Sequence, residues 1–321
     1  MKKIAVLTGD SAPGMNAAIR AVVRQGIGKE MDVYGIQGGL TGLIDGNIIE
    51  MSLEIVCDLI HRGGSVLQYS HFEGLENVDI QQKALDQIEN LGIEGLIILG
   101  GNRTMRAAEK LSSLGVPTVG IPVTINNDIA GTEYTIGFDT AVNTVVEAID
   151  KIRYTASSNE RTYVIEVAGG RVGNIALWSG VCTGAESIII PEAKHDVEDI
   201  TDRIHQEYER GKNHNIIVVA EGVGVGAGKE LGKIIQEKTN LDTKVTILGL
   251  LQRGGPPSAY DRMISSQMAA ESVDLLVEGK KGIMIGLKNG RLIHTPFEEL
   301  GKDKPGFDHN TYQLARSLAT Y

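Results

Sequence analysis

Short runs of aliphatic and β-branched residues alternate along this chain with longer amphipathic stretches. The apolar runs are Ile4–Thr8, Val33–Ile36, Leu96–Leu99, Thr118–Ile121, Tyr163–Val167, Ile188–Ile190, Ile216–Ala220, Val245–Leu251 and Ile283–Gly286. The stretches with apolar residues at three- and four-residue spacing are Ala17–Ile27, Gln82–Leu91, Ala141–Ile152, Ile200–Tyr208 and Ser265–Leu276. Strands that alternate with helices pair in parallel, because each helix returns the chain to the same end of the sheet. The sequence therefore predicts an α/β fold with mainly parallel sheets.

Length, charge and cysteine content narrow the class of protein. A chain of 321 residues is long enough for two domains. Its formal net charge of -10, from 31 Lys+Arg and 41 Asp+Glu, argues against a general nucleic-acid or anionic-membrane binder. The only cysteines, Cys57 and Cys182, suggest neither a disulfide framework nor a zinc site. Without a signal-peptide core or a membrane-length apolar run, the chain is expected to be soluble and cytoplasmic.

Polar turns follow three of the predicted strands. The first runs from Gly9 to Asn16, with Asp10 or Ser11 expected to cap the next helix, and presents backbone N–H groups suited to an anion. The second is Gly100–Thr104, in which Thr104 is expected to act as a cap, and the third is Thr124–Asp128. Each is also compatible with ordinary turn chemistry. Because ligands of parallel sheets gather at the carboxyl ends of strands, a shared site at these turns is favoured.

Basic residues beside the later strands form a second candidate group. Arg161, Lys244 and Arg253 each lie next to an apolar run, and Glu221 follows another. An arginine in the sequence Gln-Arg-Gly-Gly, as at Arg253, suits a phosphate held by two N–H bonds. Taken singly, each of these residues is equally compatible with a surface charge.

These motifs resemble those of bacterial 6-phosphofructokinases over essentially the whole chain. The matching segments are PGMNAAIRAVVR at 13–24, IHRGG at 60–64, Gly100-Gly101, IGFDTA at 136–141, AIDKIR at 148–153, ERTYVIEV at 160–167, IALWSG at 175–180, AEGVG at 220–224 and QRGG at 252–255. The resemblance implies two doubly wound, Rossmann-like domains with mainly parallel sheets. The larger, nucleotide-binding-type domain is expected at 1–137 plus 252–302, and the smaller, sugar-phosphate-type domain at 138–251 plus 303–321.

The resemblance also implies ligands and an assembly. Family members transfer the γ-phosphoryl group of MgATP to fructose 6-phosphate as homotetramers, and the sugar phosphate binds between domains and across a subunit interface. At the substrate positions Arg161, Glu221 and Arg253 match the family, whereas Lys244 replaces an arginine. A second site takes ADP or phosphoenolpyruvate as effector. Its matching residues are Arg20, Arg24, Arg153, Glu186, Arg210, Lys212 and His214.

Several catalytic positions depart from the family pattern. In the turn that contains Thr124, Asn126 stands at the position where the family has the aspartate that acts as the general base. An amide cannot accept the proton of the sugar hydroxyl. Asp128 remains as a weak metal contact. The nucleotide-binding positions comprise Gly9, Asp10, Gly101, Asn102, Arg103, Thr104 and His71. Among them, Asn102 removes a magnesium carboxylate and is a doubtful metal ligand, and Asp10 places negative charge where phosphates are expected.

Further departures lie outside these turns. His71 stands near a phosphate-stabilising arginine of the family, Gly170 replaces the transition-state arginine with Arg171 one position later, and Leu250 replaces a sugar-contacting histidine. The hypothesis from the sequence is that the chain is a catalytically impaired or inactive member of the family that retains its effector site. Such a member would act as a regulatory subunit, including one that forms a hetero-oligomer with an active paralogue. The alternative is an active ATP-dependent 6-phosphofructokinase with an unusual active site, in which Mg²⁺ accompanies the nucleotide.

Overall fold

The computed structural model describes residues 1–70, 72, 74–156, 161–212, 214–300 and 307–318, of which 155 and 156 only as backbone. The strands are β1 (Lys3–Thr8), β2 (Asp32–Ile36), β3 (Ile48–Glu50), β4 (Gly95–Gly100), β5 (Thr118–Pro122), β6 (Thr162–Val167), β7 (Ser187–Ile189), β8 (Asn215–Ala220), β9 (Thr243–Ile247), β10 (Ile283–Lys288) and β11 (Arg291–Pro296). The α-helices are α1 (Met15–Gly28), α2 (Gly39–Asp45), α3 (Leu53–Val56), α4 (Val78–Asn90), α5 (Asn102–Ser113), α6 (Phe138–Ala156), α7 (Asn174–Thr183), α8 (Val197–Glu209), α9 (Ala227–Thr239), α10 (Ala259–Val277) and α11 (His309–Leu318).

The chain divides into two compact units, each built from two segments. Unit 1 comprises residues 1–140 and 253–306, and unit 2 comprises residues 141–252 and 307–321. No helix of the described part of the chain combines the length and the apolar character that a membrane crossing requires.

Unit 1 contains a seven-stranded sheet in the order β11-β10-β5-β4-β1-β2-β3. The neighbours from β10 to β2 pair in parallel, and only β3 and β11 pair antiparallel, at the two edges. The central β4 strand is buried along its whole length because helices cover both of its faces.

Unit 2 contains a four-stranded sheet in the order β7-β8-β6-β9, in which all neighbours are parallel. Its core includes Val164, Ile204, Ile217, Val219 and Ile235, which are contributed by strands β6 and β8 and helices α8 and α9. The two sheets confirm the predicted α/β fold with mainly parallel sheets.

Two sequence expectations about helix starts are wrong. The residue that precedes α1 is Gly14, in a left-handed conformation with φ of 96°, and no side chain caps the helix. Instead of capping α1, Asp10 accepts a hydrogen bond from its neighbour Ser11 N at 2.8 Å. Helix α5 is preceded by Gly101, also without a side-chain cap, and Thr104 lies inside its first turn. Both turns therefore keep backbone N–H groups that no side chain of the helix start occupies.

A buried carboxylate in unit 1 organises the start of α6. Asp261 is fully buried and accepts hydrogen bonds from Gly137 N at 2.9 Å, Thr140 N at 2.8 Å and Thr140 Oγ1 at 2.5 Å. Burial raises the pKa of this carboxyl to about 6, although these hydrogen bonds oppose the shift. The nearby Asp139 carboxylate raises it further. The folded state therefore holds the proton of Asp261 more tightly than the unfolded state does.

We expect Asp261→Asn to change how stability depends on pH. The raised pKa means that the contribution of Asp261 to the free energy of unfolding is fully present below about pH 4 and is lost as pH rises to about 6. Asparagine has no such titration, and its amide nitrogen cannot accept the bonds from Thr140. Urea unfolding should therefore give a larger difference between wild type and variant at about pH 4.5 than at about pH 7.5. An equal difference at the two pH values would contradict this account.

Candidate active site

The three polar turns of the sequence analysis lie at one edge of the unit 1 sheet. Strands β1, β4 and β5 are parallel neighbours, with Thr8 paired to Leu99 and Gly100 paired to Pro122. Backbone bonds join the turns directly, from Gly9 N to the Leu99 oxygen at 2.9 Å and from Val123 N to the Gly100 oxygen at 3.0 Å. The side chains that follow these strands consequently share one site, which we call the strand-end site (residues 9–11, 101–104 and 124–128).

Close approach between the first two turns depends on glycine. Thr104 is 5% exposed, and a Cβ atom added to either Gly9 or Gly100 would collide with its side chain. The contact explains why Thr104 is buried within helix α5 and does not act as a cap. Gly101 faces Asp10, because a Cβ atom on Gly101 would lie 3.3 Å from Asp10 Oδ2.

Asp10 carries negative charge into this site, as the sequence indicates, but it does so beside arginine side chains. Arg253 Nη1 lies 3.9 Å from Asp10 Oδ1. Burial raises the pKa of the Asp10 carboxyl, and the bond from Ser11 and the positive charges of Arg253 and Arg103 oppose the increase. The carboxylate and the two arginines therefore form one charged cluster within unit 1.

Asp128 is the second carboxylate of the strand-end site. Burial raises its pKa, hydrogen bonds from the side chains of Asn102 and Asn126 oppose the increase, and the charge of Asp10 adds to it. Asn102 Nδ2 also donates to the Asp128 backbone oxygen at 3.0 Å. Thr124 shapes the turn through its hydroxyl, which accepts from Asn126 N at 3.2 Å. Asn102 and Asn126, the two asparagines that replace carboxylates of the family pattern, therefore form hydrogen bonds with Asp128.

The strand-end site could hold Mg²⁺ only if phosphate oxygens of a bound substrate supplied some of the ligands. In the residues that the structure describes, no cluster of three or more His, Cys, Asp and Glu side chains is arranged to hold a metal ion. Mg²⁺ is commonly bound by one or two carboxylates together with substrate phosphates and water. Asp10, Asp128 and the amide oxygens beside them meet that requirement. His71, also predicted for this site, lies outside the described residues.

The predicted substrate residues of unit 2 fall into two groups at opposite ends of its parallel sheet. Arg161 immediately precedes β6, and Lys244 lies near the start of β9; both bind Asp242, at 2.6 Å from Arg161 Nε and 2.8 Å from Lys244 Nζ. Glu221 follows the end of β8, and its Oε1 accepts from Gly169 N at 3.0 Å and Gly170 N at 2.6 Å. Within unit 2, one carboxylate therefore binds both members of the basic pair, at the end of the sheet opposite to Glu221.

Gly170 and Arg171 follow β6 beside Glu221, and Gly170 adopts a left-handed conformation with φ of 62°. Leu250 is 82% exposed, because β9 ends at Ile247 and the chain enters a short 3₁₀ helix, Gly249–Arg253. The continuous strand expected from the run Val245–Leu251 is therefore wrong beyond Ile247. Gly249, with φ of 44°, makes the turn.

The predicted effector residues are divided between the units. Arg20 and Arg24 belong to α1 of unit 1, whereas the other five belong to unit 2. There, Lys212 Nζ lies 2.6 Å from Glu186 Oε1 and 3.3 Å from Glu207 Oε2. Burial lowers the pKa of Lys212, but hydrogen bonds and charges from the two glutamates outweigh it and raise the pKa overall. Arg153 Nη2 donates to the Thr183 backbone oxygen at 2.5 Å.

Sequence reasoning did not anticipate the carboxylates that pair with these cations. Asp242 forms ion pairs with both members of a predicted substrate-binding pair, and Glu207 shares Lys212 with Glu186. The only sequence signal for Asp242 is its position two residues before Lys244. Glu207 gives none, since it lies in the charged segment Glu192–Arg210, which the sequence alone indicates as a solvated helix face.

An α/β protein with polar turns grouped at the ends of parallel strands, and with arginines beside them, is of the class that binds phosphorylated ligands. The profile of the family described as Phosphofructokinase matches residues 3–276. The chain therefore belongs to the phosphofructokinase family.

Relatives match along the whole chain. The ATP-dependent 6-phosphofructokinase of Halalkalibacterium halodurans is 51% identical over 320 residues, covering 99% of this chain and 100% of the relative. That of Natranaerobius thermophilus is 52% identical over the same length and coverage. Among solved structures, Pichia pastoris phosphofructokinase in the T-state matches with a TM-score of 0.89 and 28% identity over 99% of this chain, which spans 36% of that longer chain.

Proposed function

We propose that this protein is an ATP-dependent 6-phosphofructokinase with an unusual active site, which forms fructose 1,6-bisphosphate slowly. The observation that carries the proposal is the identity of 51% over 320 residues to a relative of that name, which covers 99% of this chain and 100% of the relative. The strand-end site supports it, since the three turns that would receive the nucleotide phosphates lie together in unit 1.

The missing base limits the rate. Asn126 stands where the family's aspartate would take the hydroxyl proton, and general-base help is worth about 10²–10⁴-fold. Asp128 is the carboxylate held by Asn126, and its raised pKa makes it a stronger base than an ordinary aspartate. We assign the proton to Asp128. The 1-hydroxyl oxygen attacks the γ-phosphorus, the bond to the bridging oxygen breaks, ADP leaves, and the hydroxyl proton passes to the Asp128 carboxylate.

The remaining ligands are assigned as follows. Asp10 and Asn102 would hold Mg²⁺ together with phosphate oxygens, and the ion supplies neutralisation of phosphate charge when bound. Arg103 lies close enough to Asp10 to lower its pKa, and it adds positive charge for the nucleotide phosphates. The sugar phosphate is assigned to Arg161, Lys244, Glu221 and Arg253. The separation of Arg161 and Lys244 from Glu221 within unit 2 supports an oligomer, a homotetramer by analogy, in which the basic pair serves another copy.

A second candidate function is a regulatory subunit that binds ADP or phosphoenolpyruvate and associates with an active paralogue. The observation that favours it is the replacement of carboxylates by Asn102 and Asn126 together with the cluster around Lys212. Because that cluster is already satisfied by Glu186 and Glu207, an anionic effector would have to displace a glutamate from Lys212.

Measurement of fructose 1,6-bisphosphate from MgATP and fructose 6-phosphate separates the two functions. We expect turnover by the purified protein that is slow, depends on both substrates and rises with enzyme concentration. No product above the rate without enzyme would contradict the kinase. In that case, a rise in melting temperature with ADP or phosphoenolpyruvate, but not with both substrates, would support the regulatory subunit, since a ligand of the folded state stabilises it.

A further inference from the structure

Gln252 is a polar side chain that lies fully buried within unit 2. It belongs to the 3₁₀ helix that follows β9, and its relative exposure is 0%. Its Oε1 accepts a hydrogen bond from Ala168 N at 3.2 Å, and its Nε2 donates to the Gly249 oxygen at 3.1 Å. Burial of an amide is costly unless both of its halves are paired, and this one has a partner for each. The side chain therefore links two backbone segments in addition to filling space.

The first of these segments is the turn after β6, which we call the β6 turn (residues 168–170). In the sheet, β6 lies between β8 and β9, so the β6 turn has a neighbouring strand end on each side. Ala168 N donates to Gln252 from the β9 side, whereas the two glycine amides of the turn donate to Glu221 Oε1 from the β8 side. Two side chains therefore hold three successive backbone amides of this turn.

The backbone around the β6 turn is closely packed. Val172 N donates to the Gly169 oxygen at 3.1 Å and closes the turn. On the β8 side, a Cβ atom added to Gly222 would lie 2.8 Å from the Gly170 oxygen. Because these segments touch, a shift of the β6 turn would move its N–H groups relative to the carboxylate of Glu221.

The second segment is the start of the 3₁₀ helix itself. Leu248 N donates to the Glu166 oxygen at 3.0 Å, and Gly249 then turns the chain. The bond from Gln252 Nε2 to the Gly249 oxygen closes this turn from its other end. Arg253 is the next residue along the chain. The backbone that leads into Arg253 is therefore fixed by the same amide that holds the β6 turn.

We propose that Gln252 is a positioning residue for the sugar-phosphate side of the reaction. Its amide fixes the β6 turn, which orients the Glu221 carboxylate, and also fixes the backbone that leads into Arg253. A leucine of similar size would fill the same space but would leave a buried N–H group and a buried carbonyl oxygen unpaired. The inference rests on the proposed function, because Glu221 and Arg253 are among the groups assigned there to fructose 6-phosphate.

The variant Gln252→Leu of the full chain tests the proposal with two measurements. Hydrogen–deuterium exchange of the β6 turn amides should become faster by at least about fivefold, because the bond that anchors the turn is lost. In steady-state kinetics, the KM for fructose 6-phosphate should rise by at least about fivefold, whereas the KM for MgATP should stay within about twofold. Gln252→Glu keeps an oxygen for Ala168 N, and since burial favours the neutral acid it also keeps a donor for the Gly249 oxygen. Its KM for fructose 6-phosphate should lie closer to the wild-type value.

Controls separate positioning from a purely structural role. Gln236→Leu makes the same replacement at an exposed position of α9 in unit 2 and should leave both measurements unchanged. Melting temperature checks the fold of each variant. If Gln252→Leu does not fold, Gln252→Asn carries the same test, because its shorter side chain cannot reach both partners.

Three results would overturn the proposal. These are unchanged exchange at the β6 turn, faster exchange with both KM values equally affected, and a Gln252→Glu variant no closer to the wild type than Gln252→Leu. A wild type that forms no fructose 1,6-bisphosphate would instead contradict the proposed reaction. Exchange at the β6 turn needs no turnover, so it would still decide whether Gln252 fixes that turn.

Discussion

Restoring two carboxylates, through Asn126→Asp and Asn102→Asp together, should raise kcat for fructose 1,6-bisphosphate formation, but by less than the full worth of a general base, about 10²–10⁴-fold, because Asp128 already accepts the proton in the wild type. Asn126 lies in the turn that follows β5, next in space to Asp128, and Asn102 begins α5 at the end of β4. An aspartate at 126 places an acceptor where the resemblance predicts the sugar hydroxyl, and an aspartate at 102 returns a ligand for Mg²⁺. The two changes therefore act on proton transfer and on phosphate charge.

The same double variant should shift the pH dependence of the reaction. In the wild type, the side chains of Asn102 and Asn126 donate hydrogen bonds to Asp128 and lower its pKa against the effect of burial. Aspartates at these positions remove those donors and add negative charge, so the carboxyl groups repel one another and the pKa of at least one rises further. The acid limb of kcat/KM should move to higher pH. A steady-state assay across pH, with substrate saturation checked at each point, measures both effects.

A matched control is Asn90→Asp at the exposed end of α4, which adds the same charge to unit 1 away from the strand-end site. It should leave kcat within twofold of the wild type, a span of about 0.4 kcal/mol in activation free energy. A double variant no faster than this control would show that proton transfer and metal binding do not limit the rate. The regulatory function would then gain support.

The strands of the fold were predictable because burial on both faces makes their sequences continuously apolar. Leu96–Leu99 falls within β4, and the run Ile216–Ala220 falls within β8; both strands are buried throughout. The edge strand β11 was missed, since the exposed Arg291 and His294 break its apolar pattern and the rest of it is only half-buried. Beyond Ile247, apolar composition alone could not reveal that Gly249 turns the chain and leaves Leu250 exposed.

The location of the strand-end site followed from topology, but its internal pairings did not. Parallel neighbours bring the turns after β1, β4 and β5 to one edge, so the proximity of Asp10, Asn102 and Asp128 was foreseeable. The pairing of Asp10 with Arg253 joins residues far apart in sequence, and no local periodicity encodes it. The same holds for Asp261, a helix residue whose carboxylate organises the start of another helix.

Asp128→Asn in the otherwise unchanged chain should lower kcat by about 10²–10⁴-fold if Asp128 takes the hydroxyl proton. The amide fills the same space but cannot accept a proton at neutral pH. The KM value for fructose 6-phosphate should change little, because Asp128 is not among the groups assigned to hold the sugar phosphate. Asp58→Asn, an exposed change in unit 1, serves as the matched control.

The pH profile makes this prediction specific to proton transfer. Since burial raises the pKa of Asp128 above its ordinary 3.8, wild-type kcat/KM should fall with decreasing pH from a point above that value, as the carboxylate becomes protonated. The residual rate of the Asp128→Asn variant should lack this limb, because no base titrates there. A variant that loses rate but keeps the wild-type limb would assign the titration to another group, for which Asp10, the other carboxylate of the strand-end site with a raised pKa, is the candidate. A variant that keeps the wild-type rate would remove Asp128 from the reaction.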